Sequence, residues 1–177
     1  PKPDGTPPNN WLSTFGGSAW TWEPRRQQYY LHNFLESQPD LNWYNPEVVD
    51  AILDTARFWL DMGVDGFRLD VVNFFTYDRS LQDNPMRPAD KPRPAGASPT
   101  DPFFSPVNLY NFCQPDTLKL LKPIRQLMDK YDATTLAEIS SAEDTLLISS
   151  EYVKGEDRLH TAYNSSLMTD EPLTAQR

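Results

Sequence analysis

The sequence is poor in the residues that build several common kinds of site. Its 177 residues include one cysteine, Cys113, which excludes an intrachain disulfide and a cysteine-based zinc site. No apolar run reaches the roughly 18 residues that are needed to cross a membrane. Basic residues are also scarce, 16 against 25 acidic ones, which leaves a net charge of −9. That balance disfavours nucleic acid and membrane as partners, because both attract a basic surface.

The composition is otherwise typical of a folded domain. Hydrophobic residues make up 38% of the chain and charged residues 23%, which is enough apolar surface for a sizeable core. Aromatic residues are frequent at 12%, and such rings serve both as core and as stacking surfaces for sugars. Because the first residue is Pro1 rather than Met, we expect a segment of a longer protein, for which a removed signal peptide stays open.

Hydrophobic spacing predicts alternating helices and strands after an irregular start. The predicted elements are a helix over 45–63, a strand over 66–72, a helix over 116–131, a strand over 134–139, a helix over 142–150 and a strand over 159–163. Asn45 and Pro46 suit the start of the first helix, and Pro123 should kink or divide the second. This order is typical of a parallel α/β protein. Residues 77–115 form a proline-rich insertion that is too long for a simple connection.

Charged side chains occupy the carboxyl ends of the first two predicted strands. Because side chains alternate along a strand, Arg68 and Asp70 share one face, and Glu138 ends the next strand. Enzymes of the α/β class place their chemistry at this edge, and glycoside hydrolysis requires a pair of carboxylates there. From spacing alone, a structural ion pair between Arg68 and Asp70, with Glu138 in solvent, explains the same residues equally well.

Three segments resemble a known family. Residues 63–74 (GVDGFRLDVVNF) resemble the segment around the nucleophile of the α-amylase family, glycoside hydrolase family 13. Residues 135–139 (TLAEI) resemble its general-acid segment, and residues 38–43 (QPDLNW) are similar to the motif that marks the oligo-1,6-glucosidase and α-glucosidase branch. The segments stand in the family's order, and the resemblance extends over about residues 10–168.

The resemblance implies a role for each residue of the motifs. Asp70 would be the catalytic nucleophile, Glu138 the general acid/base, and Arg68 a binder of the sugar in the subsite before the scissile bond. Arg68 would also favour the ionised carboxylate that a nucleophile needs. An acid must hold a proton near neutral pH, and the negative charge of Asp70 would help Glu138 to do so.

The resemblance also divides the chain and implies that it is partial. Residues 1–37 correspond to the tail of a small inserted domain, and residues 38–177 to about strands four to six of a (β/α)8 TIM barrel. The family's sugar-binding motif at strand three and its His-Asp motif after strand seven are absent from the sequence. We therefore expect about a third of an enzyme, inactive alone, since such a barrel takes about 250 residues.

Several further side chains are candidates for contacts with substrate. In the insertion, the aromatic candidates for binding the leaving group are Phe103, Phe104, Tyr110 and Phe112. The aromatics interpreted as small-domain core rather than as cleft wall are Trp20, Trp22, Tyr29 and Tyr30. We expect the two histidines, His32 and His160, to serve in packing or hydrogen bonding rather than in catalysis, although His160 could face the pocket. Asn164-Ser165-Ser166 matches a glycosylation pattern, which is weak on its own.

Val71, directly after Asp70, is a candidate determinant of linkage. The resemblance associates a valine here with relatives that cleave α-1,6 links, and alanine or threonine with those restricted to α-1,4 links. Valine is wholly apolar, whereas threonine brings a hydroxyl that needs a partner.

The resemblance predicts a retaining α-glucosidase that hydrolyses terminal α-linked glucose, in α-1,6 or α-1,4 linkage, from short oligosaccharides or sucrose-like substrates. Two alternatives stay open: a transglucosylating relative such as a sucrose isomerase, and a non-catalytic barrel related to the heavy chains of amino-acid transporters. The joint presence of Asp70, Glu138 and Arg68 disfavours the second.

The remaining expectations concern ligands and location. No cofactor or metal is expected in this segment, although the resemblance allows a structural calcium or magnesium ion elsewhere in the full-length protein. A small oligosaccharide is the expected partner, the oligomeric state stays open, and a cytoplasmic, bacterial location is expected with secretion not excluded.

Overall fold

The computed structural model describes residues 1–94, 97–140 and 142–163, so the glycosylation pattern at 164–166 lies outside the described residues. The elements in chain order are β1 (Trp20–Glu23), β2 (Gln28–Leu31), α1 (Pro46–Asp61), β3 (Gly66–Leu69), α2 (Asp116–Lys130), β4 (Thr134–Glu138), α3 (Thr145–Val153) and β5 (Thr161–Tyr163), with short 3₁₀ helices at Val72–Phe74 and Pro102–Phe104. Strands β1 and β2 form an antiparallel hairpin, whereas β3, β4 and β5 form a parallel sheet in that order. The predicted alternation of helices and strands is confirmed.

Helix α1 begins and ends at the residues that its sequence signals indicate. The side chain of Asn45 accepts a hydrogen bond from the backbone N–H of Glu47 at 3.1 Å, and Pro46 occupies the first turn. At the other end Gly63 adopts a φ of +93°, which lets the N–H groups of Gly63 and Val64 bond back to carbonyls of the last turn.

Helix α2 runs in one piece through Pro123, so the alternative that the proline divides it is wrong. Proline lacks the N–H that would bond to the preceding turn. The apolar face on both sides of it is buried against the sheet and α1, and this packing holds the two halves in register. The buried apolar side chains of that face are Leu121, Ile124, Leu127 and Met128.

The parallel sheet has one face covered by helices and one face open. In the register of the strands, Arg68 lies beside Leu136, and Leu69 beside Ala137. The side of Leu69 and Ala137 packs into the helix-covered core, where Ala137 and Ile139 are fully buried. The side of Arg68 and Leu136 is exposed. This is the pattern of consecutive βα units, in which helices cover the outside of a curved sheet and the charged side chains face inward.

Glycine at position 66 allows β3 and β4 to approach closely at their start. A Cβ atom at Gly66 would lie 2.1 Å from the backbone oxygen of Thr134. Any other residue would push the strands apart, so this glycine is required for the register that aligns their carboxyl ends.

The proline-rich insertion is packed where the structure describes it. Its aromatic rings form a cluster with the 3₁₀ helix that follows β3, and its start packs against the first residues of the chain. Asn84 ties its two halves together, because its side-chain oxygen accepts from the backbone N–H groups of Leu109 and Tyr110 at 2.9 and 3.0 Å. Arg87, whose side chain is 7% exposed, bonds to carbonyls of the insertion and to Glu143.

Candidate active site

The carboxyl ends of β3 and β4 bring two carboxylates to one guanidinium. Asp70 is the first residue after β3, and Glu138 is the last residue of β4. One nitrogen of Arg68 lies 2.5 Å from Oδ1 of Asp70, and its other terminal nitrogen bonds Oε2 of Glu138. The side chain of Asp70 is 72% exposed and that of Glu138 is 20% exposed. The arrangement therefore combines an accessible carboxylate with a more enclosed one, both on the open face of the sheet.

The backbone turns sharply after Asp70. The predicted strand ran to residue 72, but β3 ends at Leu69 because Val71 adopts a left-handed conformation with φ 35° and ψ 51°. A β-branched residue is strained there, and such strain persists where the surroundings enforce it. Here Val71 is followed by the 3₁₀ helix and packs on the aromatic cluster of the insertion. The turn leaves the carboxylate of Asp70 projecting from the strand end.

Tyr163, which sequence reasoning missed, joins the same group from the third strand. It ends β5 and pairs in register with Glu138, and its hydroxyl oxygen lies 3.4 Å from Nη2 of Arg68. Bonds to Tyr163 and Asp70 raise the pKa of Arg68, which keeps the guanidinium charged. The strand-end rule applied to Asp70 and Glu138 would have found Tyr163, because it occupies the same place on the next strand.

The third motif segment lies against Asp70. A cavity of about 220 Å³ is lined by residues 38–41 of that segment, by Trp43, and by Asp70 and Val71. The ring of Trp43 stacks on Phe75 at a centroid distance of 4.1 Å and an angle of 9°. This contact fixes the segment to the 3₁₀ turn after β3, so motifs separated by some thirty residues in sequence form one wall.

Asp40 also lies in this wall, and its carboxyl group has an unusual environment. Both the backbone N–H and the side-chain Nδ2 of Asn33 donate to its Oδ2, at 3.1 and 2.5 Å. Burial raises the pKa of Asp40 to about 6, and the two bonds from Asn33 only partly oppose this effect. The sequence showed Asp40 only as part of a marker motif.

We expect Asp40→Asn to stabilise the folded protein more at pH 7.5 than at pH 4.5. As the pH falls, a carboxyl whose pKa is raised in the folded protein takes up its proton at a higher pH than it does in the unfolded chain. Its contribution to the free energy of unfolding is therefore greatest below about pH 4 and is lost as the pH rises through 6. The asparagine has no charge to bury, and the difference in stabilisation between the two pH values should be roughly 2 kcal/mol at most. Unfolding temperatures of both proteins across this range check the prediction, and parallel curves would contradict it.

Phe103 and Phe104 do not lie at the carboxylates. Their side chains are 1% and 7% exposed, and they pack with Phe74 and Phe112 in the core of the insertion. Phe74 and Phe112 stack at 4.4 Å. This burial corrects the expectation that Phe103 and Phe104 face the leaving group, because they have almost no accessible surface. Tyr110, of the same candidate group, packs instead on the cluster around Trp11.

Both histidines are engaged away from the two carboxylates. His32 is buried and its ring nitrogens contact the hydroxyl of Thr21 and the carbonyl of Phe34. His160 lies one residue before β5, at the amino end of the sheet, where its ring contacts Thr135 and Asp129. His160 therefore does not face the site, which lies at the opposite end of the strands.

Trp20, Trp22, Tyr29 and Tyr30 contact neighbouring rings, but none of them is buried and Trp22 is 41% exposed, so their role as small-domain core stays a prediction. Trp20 stacks on the fully buried Trp11 at 5.9 Å, and Trp22 contacts Tyr29 across the hairpin at 5.2 Å. Tyr30 lies against His32 at 5.8 Å.

The described residues contain no group of three or more His, Cys, Asp or Glu side chains that could hold a metal ion. Within that same part of the chain, none of the helices combines the length and apolar character that a membrane crossing requires.

A comparison with protein families decides the identity of the fold. The model described as the alpha-amylase catalytic domain matches residues 1–170. The chain belongs to this family. The family prediction and the expectation of a partial (β/α)8 barrel from its central region are thereby confirmed.

Curated and structural relatives extend this assignment. A probable alpha-glucosidase of Rhizobium meliloti (strain 1021) is 48% identical over 177 residues, which covers 99% of this chain and 32% of the relative. The solved structure of an alpha-glucosyl transfer enzyme is 55% identical with a TM-score of 0.87, covering 92% of this chain and 30% of that one. A mutant trehalulose synthase is 31% identical with a TM-score of 0.71, covering 93% and 27%. The chain thus spans about a third of the length of the relatives it matches.

Proposed function

We propose that this chain carries the two catalytic carboxylates of a retaining α-glucosidase that releases terminal α-linked glucose from short oligosaccharides. The observation that carries the proposal is the single guanidinium of Arg68 between Asp70 and Glu138, on adjacent strand ends of an alpha-amylase-type sheet. The 48% identity to a probable alpha-glucosidase supports the substrate class.

In this proposal Asp70 attacks the anomeric carbon. Its carboxylate projects from the strand end and is the more accessible of the two, as in-line attack on a sugar requires. The bond from Arg68 holds this carboxylate in place at the strand end. A carboxylate oxygen forms an ester to glucose while the glycosidic bond breaks, which gives the covalent intermediate of a retaining enzyme.

Glu138 is the proposed general acid/base. It would protonate the departing oxygen, and then deprotonate the water that hydrolyses the ester at Asp70. In the structure Arg68 bonds Glu138 as well as Asp70. We infer that sugar hydroxyls take over part of the bonding of Arg68 when substrate enters, which frees the Glu138 carboxyl to reach the departing oxygen.

Hydrolysis of p-nitrophenyl α-glucoside by the complete protein that contains this segment tests the proposal. Proton magnetic resonance of the freshly released sugar should show α-glucose before mutarotation, since two displacements at one carbon retain configuration. Release of β-glucose would contradict the role of Asp70 as nucleophile, and absence of hydrolysis would overturn the proposed function.

Glucosyl transfer is a second candidate function. It is favoured by the 55% identity and TM-score of 0.87 to an alpha-glucosyl transfer enzyme, and by the likeness to a trehalulose synthase. Both reactions share the glucosyl intermediate and differ in whether water or a sugar hydroxyl accepts the glucose. Incubation of the complete protein with sucrose or maltose at high concentration, followed by analysis for isomers and longer oligosaccharides, separates transfer from hydrolysis.

Val71 is the proposed linkage determinant, and Val71→Thr should lower activity on isomaltose relative to maltose. The residue lines the cavity that Asp70 also lines, and threonine would replace one of its methyl groups by a hydroxyl. A single such contact changes discrimination by about 1–3 kcal/mol, or roughly ten- to two-hundred-fold. Measuring kcat/KM for both sugars on both proteins checks this. An unchanged ratio would show that Val71 only packs on the insertion and that linkage is chosen elsewhere.

Other properties of the complete protein remain proposals. Oligosaccharide as the partner is supported by the names of the relatives. A cytoplasmic location, the absence of a resident cofactor, a structural calcium or magnesium ion outside this segment and the division of the chain near residue 37 stay predictions.

A further inference from the structure

Asn73 joins the segment that follows β3 to the segment that follows β4. It is fully buried, three residues after Asp70. Its Nδ2 donates to the backbone carbonyl of Ser140 at 2.8 Å, and its Oδ1 accepts from the backbone N–H of Ser140 at 3.4 Å. Ser140 stands two residues after Glu138. One side-chain amide therefore bonds both backbone groups of a residue close to the second carboxylate.

This contact lies where the backbone of the two strands ceases to pair. The register of β3 and β4 ends at Leu69 beside Ala137, and the turn at Val71 then carries the chain away from the sheet. A side-chain amide has the same donor and acceptor as a peptide unit. Asn73 thus continues the bonding between the two chain segments past the last paired residues, beyond Asp70 and Glu138 in sequence.

The backbone of Asn73 is held from a third direction. Its carbonyl accepts the N–H of Cys113 at 2.7 Å, and its Nδ2 lies 3.3 Å from the sulfur of Cys113. The end of the insertion is therefore attached to the same residue. Cys113 is a free thiol with its pKa raised by burial to about 12, so it is neutral at physiological pH and serves as packing and as a weak acceptor.

We propose that Asn73 is a positioning residue that sets the separation and orientation of Asp70 and Glu138. The proposal rests on the proposed function, because it concerns where the acid/base stands relative to the nucleophile. Asn73 contacts neither carboxylate in the structure and acts through Ser140 and the turn after β3. A displacement on the order of 1 Å at a reacting group can cost about 100-fold in rate, so loss of the two bonds between Asn73 and Ser140 should lower the rate of the reaction.

The test compares Asn73→Leu with Asn108→Leu in the complete protein. Leucine branches at Cγ as asparagine does, is larger, and bonds no backbone group. Asn108 is also buried and donates to a backbone carbonyl, that of Phe103 at 2.9 Å, but it lies inside the insertion and links no strands. Both variants lose a buried amide, so the control measures the effect of lower stability alone. Asn73→Ala, which leaves room for a water at Ser140, is the second variant in case the leucine protein does not fold.

The readout is a pair of substrates that differ in their need for an acid. Asn73→Leu should lower kcat on maltose by about ten- to a hundred-fold, and the rate of the first step with α-glucosyl fluoride, whose leaving group needs little proton transfer, by much less. Asn108→Leu should leave the ratio of the two rates unchanged.

Azide gives an independent signature of a displaced acid/base. It needs no general base to attack C1 of the glucosyl ester, so the bond to Asp70 breaks and α-glucosyl azide forms with the Asp70 carboxylate restored. With α-glucosyl fluoride as substrate, azide should speed turnover of the Asn73 variants more than that of the starting protein.

The outcomes separate the two proposals. A parallel fall on both substrates without an azide effect, or no change at all, would overturn the role of Asn73 while the α-glucosidase assignment stands. Inactivity of the unmutated protein on both substrates would overturn the assignment, and the positioning role with it.

Discussion

Asp70→Asn is expected to lower the turnover of every α-glucoside by about 10⁴-fold or more, the scale on which removal of a nucleophile acts. An amide oxygen is a poor nucleophile and cannot form the ester intermediate. The change preserves size and can still accept the bond from Arg68, so the loss should appear in kcat rather than in folding. Steady-state kinetics on maltose and p-nitrophenyl α-glucoside, with unfolding temperatures of both proteins, check this expectation.

The matched control is Asp65→Asn. Asp65 is exposed and precedes β3, at the opposite end of the strand from Asp70, and only its backbone carbonyl bonds across, to the N–H of Thr134. The same chemical change there should leave kcat within about twofold, because surface substitutions away from a site rarely matter. Retention of most activity by Asp70→Asn would remove the basis of the whole assignment.

The loss of rate caused by Glu138→Gln should depend on the leaving group of the substrate. General acid catalysis contributes about 10²- to 10⁴-fold, so hydrolysis of maltose should fall by that factor. The first step with α-glucosyl fluoride should be nearly unaffected, because fluoride departs without a strong acid. The second step still lacks its base, so a burst of fluoride release should precede slow turnover, which rapid-mixing kinetics can resolve.

Glu156→Gln, on the exposed loop before β5, is the control for the loss of a carboxylate elsewhere. It should behave like the unmutated protein on both substrates. If Glu138→Gln slowed the first step equally for maltose and for α-glucosyl fluoride, Glu138 would not be the acid, and its bond to Arg68 would have only a structural purpose.

Local signals determined most of the secondary structure. Asn45, Pro46 and Gly63 bound α1 because caps and a left-handed glycine depend on a few neighbouring residues. Prediction failed where tertiary contacts override such signals. Pro123 does not divide α2, and β3 stops at residue 69, because long-range packing holds one helix together and enforces a left-handed Val71.

Motifs identified the family but could not distinguish surface from core in the insertion. Phe103 and Phe104 lie in a loop that follows the strand of Asp70, and that placement made them candidates for substrate contacts. Whether an aromatic ring faces a pocket depends on partners far away in sequence, and here Phe74 and Phe112 enclose both rings. No periodic pattern in the insertion records this.

The sequence by itself determined the residue types at the strand ends, Asp70, Glu138 and Arg68, because alternation and strand order follow from local pattern and place charges on one face. Only the tertiary structure decided that one guanidinium holds both carboxylates, that Asp40 lines the same cavity as Asp70, and that Asn73 bonds Ser140. Such relations depend on the register between strands and on how loops cross their ends. These are set by the packing of the whole sheet, whose contacts join residues some seventy positions apart.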